Sequence, residues 1–258
     1  ITNHFELIPT ADVTYAREWG MKVAVEDIRR VVDDANRRAT HVVLGGHSLG
    51  NLVIVALTQI TGSFLEAIEG ASNLLGVEAR VLPATLDSVD LEAQIGGRKA
   101  YGQRAIKAAS LEQGQPITNL TLRPANAVAL PEAVKAIQEA DIITLGPGSL
   151  FTSVMPNLLI QGIADAIQTS NAICIYICNI MTEADETAGF SAEAHLEALR
   201  LRLPNIRIDL ALFNSNPISS SMRELYAEEE AVVLEQPTSA TSFDGKVAFL
   251  CRPIATEA

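Results

Sequence analysis

The chain has 258 residues, of which 48% are hydrophobic and 19% charged, a composition typical of a folded globular protein rather than a disordered one. The formal net charge of −12 argues against general binding to nucleic acids or acidic membranes, since both need a cationic protein surface. An anionic small molecule is not excluded, because a few backbone N–H groups can form a local positive pocket in an acidic protein.

The first half of the chain is predicted to begin with alternating elements and to continue with short extended segments. The first elements are helices over 21–39, 49–60 and 64–75 and a strand over 41–44. Short strands are then predicted over 89–95, 99–106 and 117–122. The first two of these strands are expected to pair through Gly96-Gly97, a favoured tight-turn dipeptide. We therefore interpret residues 77–125 as a small antiparallel insertion.

From residue 131 onward, strands and helices alternate regularly. Helices are predicted over 131–140, 152–170, 191–202 and 222–230, and strands over 142–145, 173–178, 206–213 and, at a sheet edge, 247–251. Residues 236–245 are rich in Ser and Thr and are predicted to form a surface loop. Such alternation implies a parallel sheet with right-handed crossovers. We predict a single α/β domain over 1–258, with three layers, a mainly parallel Rossmann-like sheet and the antiparallel insertion.

Three polar loops follow predicted strands, at the sheet edge where open parallel sheets bind ligands. Loop 146–153 reads Gly-Pro-Gly-Ser-Leu-Phe-Thr-Ser; its glycines allow close approach of a ligand, and the helix start after it favours an anion. A tight structural turn with a helix cap explains these residues equally well. Loop 178–182, taken alone, fits an ordinary polar loop better than a base or sugar site, and the asparagines of 213–217 fit a simple turn. Their shared position at one edge favours a ligand site.

Residues 46–50, Gly-His-Ser-Leu-Gly, match the G-x-S-x-G nucleophile elbow and lie between a predicted strand and a predicted helix. A hydrolase of this type also needs an acid and, later in the chain, a histidine. The only histidine after Ser48 is His195, which is predicted to lie near the start of a helix, and the chain has no HGGG-type oxyanion segment. A serine hydrolase using Ser48 and His195 is therefore the alternative function.

The cysteines and the first residues bear on the cellular compartment. The three cysteines, Cys174, Cys178 and Cys251, lie in apolar strand-like runs without the Cys/His partners of zinc sites, so we expect reduced thiols and no metal. Residues 1–10 lack the basic start and apolar stretch of a signal peptide, and no apolar run reaches the roughly 18–20 residues that span a bilayer. We therefore expect a cytoplasmic protein.

Several stretches resemble the CofD-like proteins, and specifically their gluconeogenesis-factor branch. They are 46–52, 58–62, 81–85, 140–142, 146–157, 178–182, 186–190 and 226–229, in the order and spacing of that family. In this family the His-Ser-Leu-Gly-Asn segment occurs without a hydrolase triad, which disfavours the hydrolase. Residues 15–50 instead resemble the segment that leads into the elbow of α/β-hydrolases, which fits either a divergent N-terminus or a chimera.

The resemblance implies a nucleotide-type ligand, which in this branch is a uridine diphosphate sugar. The resemblance implies that the phosphate groups bind at the loop residues Gly146, Gly148, Ser149, Thr152 and Ser153. It places the base or sugar near Asn179, Thr182 and Asn214, and it places His47 and Asn51 at the pocket wall. The implied function is a ligand-sensing regulator of carbon-source adaptation and cell shape, related to 2-phospho-L-lactate transferases. The family's N-terminal Gly-Gly-Gly-Thr-Gly and Ala-Asp-Asp-Gly-Gly segments do not occur in this sequence, so we expect no transferase activity. The expected partner is this small phosphate-bearing ligand, with nucleic acid and membranes excluded and a homodimer left open, and no cofactor is implied besides the nucleotide or UDP-sugar.

Overall fold

The computed structural model describes residues 54, 56–74, 80–227, 230–235, 237 and 242–253. The predicted elements over 21–39 and 41–44, the elbow at 46–50 with Ser48, and the pocket-wall residues His47 and Asn51 lie outside the described residues. Contacts divide the chain into two compact units, one that ends at Pro83 and one that begins at Ala84.

The smaller unit is helical in its described part. Residues 56–61 form a helix that ends at Gly62, whose φ of +72° suits a residue without a side chain. Helix α1 (Phe64–Leu74) begins directly afterwards, and the hydroxyl of Ser63 accepts a hydrogen bond from the Glu66 N–H at 3.3 Å. Its buried face consists of Ala67, Ile68 and Ala71. These helices agree with the sequence prediction wherever they are described.

The larger unit opens with a small antiparallel sheet, as predicted. Its strands lie in the order β2-β1-β3 and are β1 (Asp90–Ile95), β2 (Arg98–Tyr101) and β3 (Ile117–Arg123). Every second residue of β1 is buried, which is the pattern of a strand with one covered face. The prediction of strand over 99–106 was wrong beyond Tyr101. Residues from Gln103 onward form helix α2 (Gln103–Gln113), whose buried residues Ile106 and Ser110 are four positions apart, one helical turn.

The main sheet of the larger unit has five strands in the order β4-β5-β6-β8-β7. They are β4 (Ile142–Leu145), β5 (Ile173–Ile177), β6 (Leu210–Asn214), β7 (Ser242–Phe243) and β8 (Val247–Arg252). Strands β4, β5, β6 and β8 are parallel, whereas β7 is antiparallel to β8. The predicted α/β class, with a mainly parallel sheet and a small antiparallel one, is confirmed.

Helical segments connect the strands of this sheet. They are α3 (Pro131–Gln138), a π-helical turn (Leu150–Val154), α4 (Met155–Leu158), α5 (Ile163–Thr169), α6 (Ala192–Arg202) and α7 (Ser220–Ala227). The single helix predicted over 152–170 is therefore broken. Gly162, with φ +97°, separates α4 from α5, because this backbone conformation is outside the helical region. No helix within the described ranges has the length and apolarity that crossing a bilayer requires.

Two strand predictions were wrong in position. The strand predicted over 206–213 begins only at Leu210, because Ile206 and Ile208 bury their side chains without pairing in the sheet. The strand predicted at a sheet edge is β8, which instead lies between β6 and β7. The edge is occupied by β7, within the segment predicted to be a loop, and Phe249 of β8 packs edge-to-face on Phe213 of β6 at 5.3 Å between ring centroids.

Candidate functional site

The loop after β4 lies tightly against the end of β5. Gly146 has a φ of +85°, and a Cβ atom at this position would lie only 2.8 Å from the carbonyl oxygen of Ile177. Glycine therefore permits a backbone-to-backbone approach at the carboxyl ends of two parallel strands. The π-helical turn Leu150–Val154 follows, and such turns are rare and frequent at functional sites.

The carboxylate of Glu186 occupies the hydrogen-bond donors of this π-helical turn. Its side chain has no exposed surface. Its Oε2 atom accepts the Phe151 N–H at 2.8 Å and the Thr152 N–H at 3.3 Å, and its Oε1 atom accepts a short hydrogen bond from the Thr152 hydroxyl. Backbone N–H groups at the start of a helical segment form an anion site. In this structure the anion is a side chain of the protein itself.

Lys107, on α2, joins three carboxylates of the segment that follows β5. Its Nζ atom lies 3.1 Å from Glu183, 3.2 Å from Asp185 and 3.3 Å from Glu186. Burial lowers the pKa of Lys107, but the carboxylates outweigh that effect and hold it above its ordinary value, so the ammonium stays charged. Burial raises the pKa of Glu186, while the hydrogen bond from Thr152 and the charge of Lys107 oppose the rise.

Asn179 connects the loop after β4 with the loop after β5. Its Oδ1 atom accepts the Gly148 N–H at 3.0 Å, and its Nδ2 group donates to Glu183 Oε1 at 3.1 Å. The hydroxyl of Ser149 donates to the other oxygen of Glu183 at 2.7 Å. Three residues that the sequence analysis selected, Gly148, Ser149 and Asn179, are therefore brought together in one hydrogen-bonded network.

The remaining selected residues have mainly local contacts. Thr182 is buried, and its hydroxyl accepts the Val232 N–H at 2.9 Å and donates to the Val232 carbonyl at 3.2 Å. Asn214, the last residue of β6, closes a turn in which its Oδ1 accepts the Asn216 N–H at 3.1 Å. The backbone N–H of Ser153 donates to the Ser149 carbonyl at 2.9 Å. Thr182 thus ties the loop that contains Asn179 to Val232, and Asn214 shapes the loop after β6.

Two cavities adjoin at the carboxyl ends of β5 and β6. The larger, which we call the acidic cleft, has a volume of about 1070 Å³, and its polar lining includes Lys107, Asn179, Thr182, Glu183, Asp185, Tyr226 and Glu230. The smaller, which we call the asparagine pocket, has a volume of about 290 Å³, and its polar lining includes Asn179, Asn214, Ser215, Asn216, Arg223 and Glu235. Asn179 and Ile180 line both cavities.

His195, the histidine of the hydrolase alternative, is buried in α6. Its Nδ1 atom lies 2.8 Å from the Ser191 carbonyl oxygen, and its ring packs edge-to-face on Phe190 at 5.4 Å. Within the described part of the chain its Nε2 atom has no hydrogen-bond partner. Burial lowers the pKa of His195, and the Ser191 carbonyl and the Glu183 charge only partly oppose this. These contacts are those of a neutral core histidine and give no support to a triad with Ser48.

The lowered pKa of His195 predicts a specific loss of stability in acid. Neutral His195 contributes stability that is fully present above its ordinary pKa of 6.5 and is lost as the pH falls through the lower folded-state pKa. We expect His195→Asn to be less stable than the wild type at about pH 7.5, with the gap narrowing by at most about 1.4 kcal/mol per pH unit towards about pH 5. Urea denaturation of both proteins across this range measures the gap, and a gap that does not change with pH would contradict the prediction.

Sequence reasoning did not assign roles to Lys107, Glu183 and Glu186, which hold the site together. Glu186 lies within one of the stretches that carry the family resemblance, but nothing in the local pattern shows that its carboxylate is turned back towards the loop 146–153. Lys107 precedes Glu183 by 76 positions and comes from the antiparallel part of the larger unit. No spacing rule along the chain pairs residues so distant.

A family model described as 2-phospho-L-lactate transferase CofD matches residues 23–247. The chain belongs to the CofD family. Among its relatives, the gluconeogenesis factor of Halalkalibacterium halodurans is 41% identical over 189 residues, covering 73% of this chain and 58% of the relative. The gluconeogenesis factor of Bacillus subtilis is 37% identical over 234 residues, covering 90% of this chain and 71% of the relative. The resemblance to the gluconeogenesis-factor branch is confirmed.

Solved structures agree with this membership of the CofD family. A crystal structure of a UPF0052 family member from Bacillus halodurans superposes with a TM-score of 0.69 at 36% sequence identity, covering 81% of this chain and 67% of that one. The chain spans 58% of the length of the Halalkalibacterium relative, so the activity of the whole relative is not carried over directly. Neither the family match nor the relatives support a serine hydrolase.

Proposed function

We propose that this CofD-family chain binds a nucleotide-type ligand, with a UDP-sugar as the first candidate, in the acidic cleft and the asparagine pocket. The observation that carries the proposal is the position of Asn179, which lines both cavities and accepts the Gly148 N–H at 3.0 Å. We further propose that binding serves a regulatory role in carbon-source adaptation and cell shape. The name of the gluconeogenesis-factor relatives supports the role in carbon metabolism.

The shape of the two cavities supports a ligand with one compact and one extended part. The asparagine pocket, at about 290 Å³, suits a base or a sugar ring, with Phe213 and Ile218 as apolar walls and Asn214 as a polar contact. The phosphate groups then lie in the acidic cleft beside Pro147, next to the loop whose Gly148 N–H and Ser149 hydroxyl already donate to Asn179 and Glu183. Thr152, whose donors are bonded to Glu186, supports phosphate binding by orienting the turn rather than by contact. Ser153, Gly146 and Thr182 stay proposed members of the site.

Loss of the Asn179 side chain is expected to weaken nucleotide binding. Asn179→Ala removes the acceptor of the Gly148 N–H and a donor to Glu183, and it removes a polar group from both cavities. Because a hydrogen bond is worth about 0.5–1.5 kcal/mol, and more with charged partners, we expect affinity for a UDP-sugar to fall about tenfold or more. Titration calorimetry of the wild type and the variant with UDP-glucose, GDP and NAD measures the effect.

The control for this experiment is Asn205→Ala, because Asn205 is exposed and lines a separate cavity beside Arg202 and Asp165. It should bind as the wild type does. If the folded wild type binds none of the three ligands, the proposed function is wrong. If it binds UDP-glucose and Asn179→Ala binds it equally well, the site lies elsewhere.

A further inference from the structure

The acidic cleft presents an unfavourable charge balance to a ligand that carries phosphate groups. Among the described residues that line it, Lys107 is the cation, and Glu183, Asp185 and Glu230 are carboxylates. Glu186, fully buried, lies directly behind, 3.3 Å from the same ammonium. Like charges at such short range disfavour an anion strongly, since the interaction falls only with distance and local dielectric. Binding of phosphate groups in this cleft therefore requires a positive charge that reduces the repulsion from the carboxylates.

We propose that Lys107 supplies this positive charge and thereby determines the charge specificity of the site. Its ammonium offsets the carboxylates of the acidic cleft, so that the phosphate groups of a nucleotide can approach the loop 146–149. This inference rests on the proposed function and adds to it the residue that selects an anionic ligand over an uncharged one.

The position of Lys107 supports this role in two ways. The ammonium and the Ser149 hydroxyl donate to the same atom, Glu183 Oε2, at 3.1 and 2.7 Å, which puts the positive charge beside the loop proposed to hold phosphate. The Lys107 side chain also keeps 25% of its surface exposed, so it faces the cleft rather than the core. A charge at this distance from an incoming phosphate acts on binding even without direct contact.

The contacts of Lys107 disfavour other common roles of a lysine at a ligand site. A lysine acts as a base or forms a Schiff base through its neutral amine, which burial or a neighbouring cation favours. Three carboxylates within 3.3 Å stabilise the charged form of Lys107 instead. The contacts therefore favour a role in which the charge of Lys107 attracts an anionic ligand to the acidic cleft.

The test measures the affinities of two variants, one that loses a positive charge and one that loses a negative charge, for a charged and an uncharged ligand. Lys107→Met removes the positive charge, and Asp185→Asn removes a negative charge from a side chain that is 31% exposed. UDP-glucose carries the diphosphate, whereas uridine has the same base and ribose without charge. For UDP-glucose we expect affinity to fall about tenfold in Lys107→Met and to rise about threefold or more in Asp185→Asn. For uridine we expect neither variant to differ from the wild type by more than about twofold.

Lys135→Met is the matched control, because this lysine is 70% exposed and its ion-pair partner among the described residues is Glu139, at the end of α3. It should leave both affinities unchanged. Thermal unfolding identifies a variant that does not fold. If Lys107→Met fails to fold, Lys107→Gln takes its place with the same expected results, because it keeps a hydrogen-bond donor for Glu183 but not the positive charge.

A parallel loss of affinity for both ligands in Lys107→Met, or no gain for UDP-glucose in Asp185→Asn, would overturn the assignment. No binding of either ligand by the wild type would instead overturn the proposed function, and the assignment of Lys107 with it.

Discussion

Gly146→Ala is expected to lower the free energy of unfolding by about 3 kcal/mol or more. The new Cβ would lie 2.8 Å from the Ile177 carbonyl oxygen, a backbone atom that cannot turn aside. Relief requires β4 and β5 to move apart at their carboxyl ends, where Leu145 pairs with Tyr176. The positive φ of +85° adds the strain of a left-handed backbone, which costs an ordinary residue roughly 1–2 kcal/mol. Urea denaturation gives the change.

Gly97→Ala separates these two contributions. Gly97 has a similar φ of +81°, but a Cβ at that position would meet nothing within 4 Å. We expect this variant to lose only the roughly 1–2 kcal/mol of backbone strain. Equal losses in the two variants would mean that the contact with Ile177 contributes nothing and that strain explains the whole effect.

Glu186→Ala is expected to destabilise the chain by about 4 kcal/mol. Removing the carboxylate leaves the Phe151 N–H, the Thr152 N–H and the Thr152 hydroxyl without their acceptor in a buried turn. It also takes from Lys107 one of its three counter-charges. An unsatisfied buried donor costs about 1–3 kcal/mol, and the individual losses do not add fully because the donors are neighbours.

Two controls identify the source of this loss. Glu186→Gln keeps an acceptor oxygen for the backbone donors and should lose clearly less than Glu186→Ala. Glu139→Ala removes an exposed carboxylate whose partner is Lys135 on the same helix, and it should change stability by no more than about 0.5 kcal/mol. Chemical denaturation at neutral pH ranks the three variants. A Glu186→Ala protein as stable as Glu139→Ala would show that the turn does not depend on the carboxylate.

The central strands were predictable because their signal is local. The strand predicted over 142–145 is β4 without change, and the one over 173–178 ends one residue earlier, at Ile177. Each is a short apolar run bounded by polar residues or glycine, which is the pattern of a strand inside a parallel sheet. Pairing of the two in one sheet followed from the helical segments between them.

The strand predictions were wrong where side chains are buried although their backbone does not pair in the sheet. Ile206 and Ile208 alternate with polar residues as a strand does, and both are buried, but neither lies in the sheet ladder. The pattern reports which side chains are covered and says nothing of backbone partners. β8 lies inside the sheet because β7 occupies the edge. β7 has only two residues and no apolar run, so the sequence pattern did not predict it.

The candidate site was predictable in its loops and not in the groups that hold them. Gly148, Ser149 and Asn179 could be selected because polar residues after parallel strands meet at one edge. The link from Lys107 to Glu183 joins two distant segments, and only the tertiary fold brings them within 3.1 Å. Thr152 was selected as a residue that binds phosphate, and the sequence alone does not show that its hydroxyl donates to the carboxylate of Glu186.

The internal carboxylate of Glu186 has a consequence for the rate of ligand binding. Because this carboxylate bonds the donors of the π-helical turn, the conformational entropy of ordering that segment is lost during folding. The proposed ligand would therefore meet a loop of fixed shape, and ordering of the loop would add no cost to its association. Under the proposed function, occupancy of the site would then follow changes in ligand concentration without a delay from conformational rearrangement.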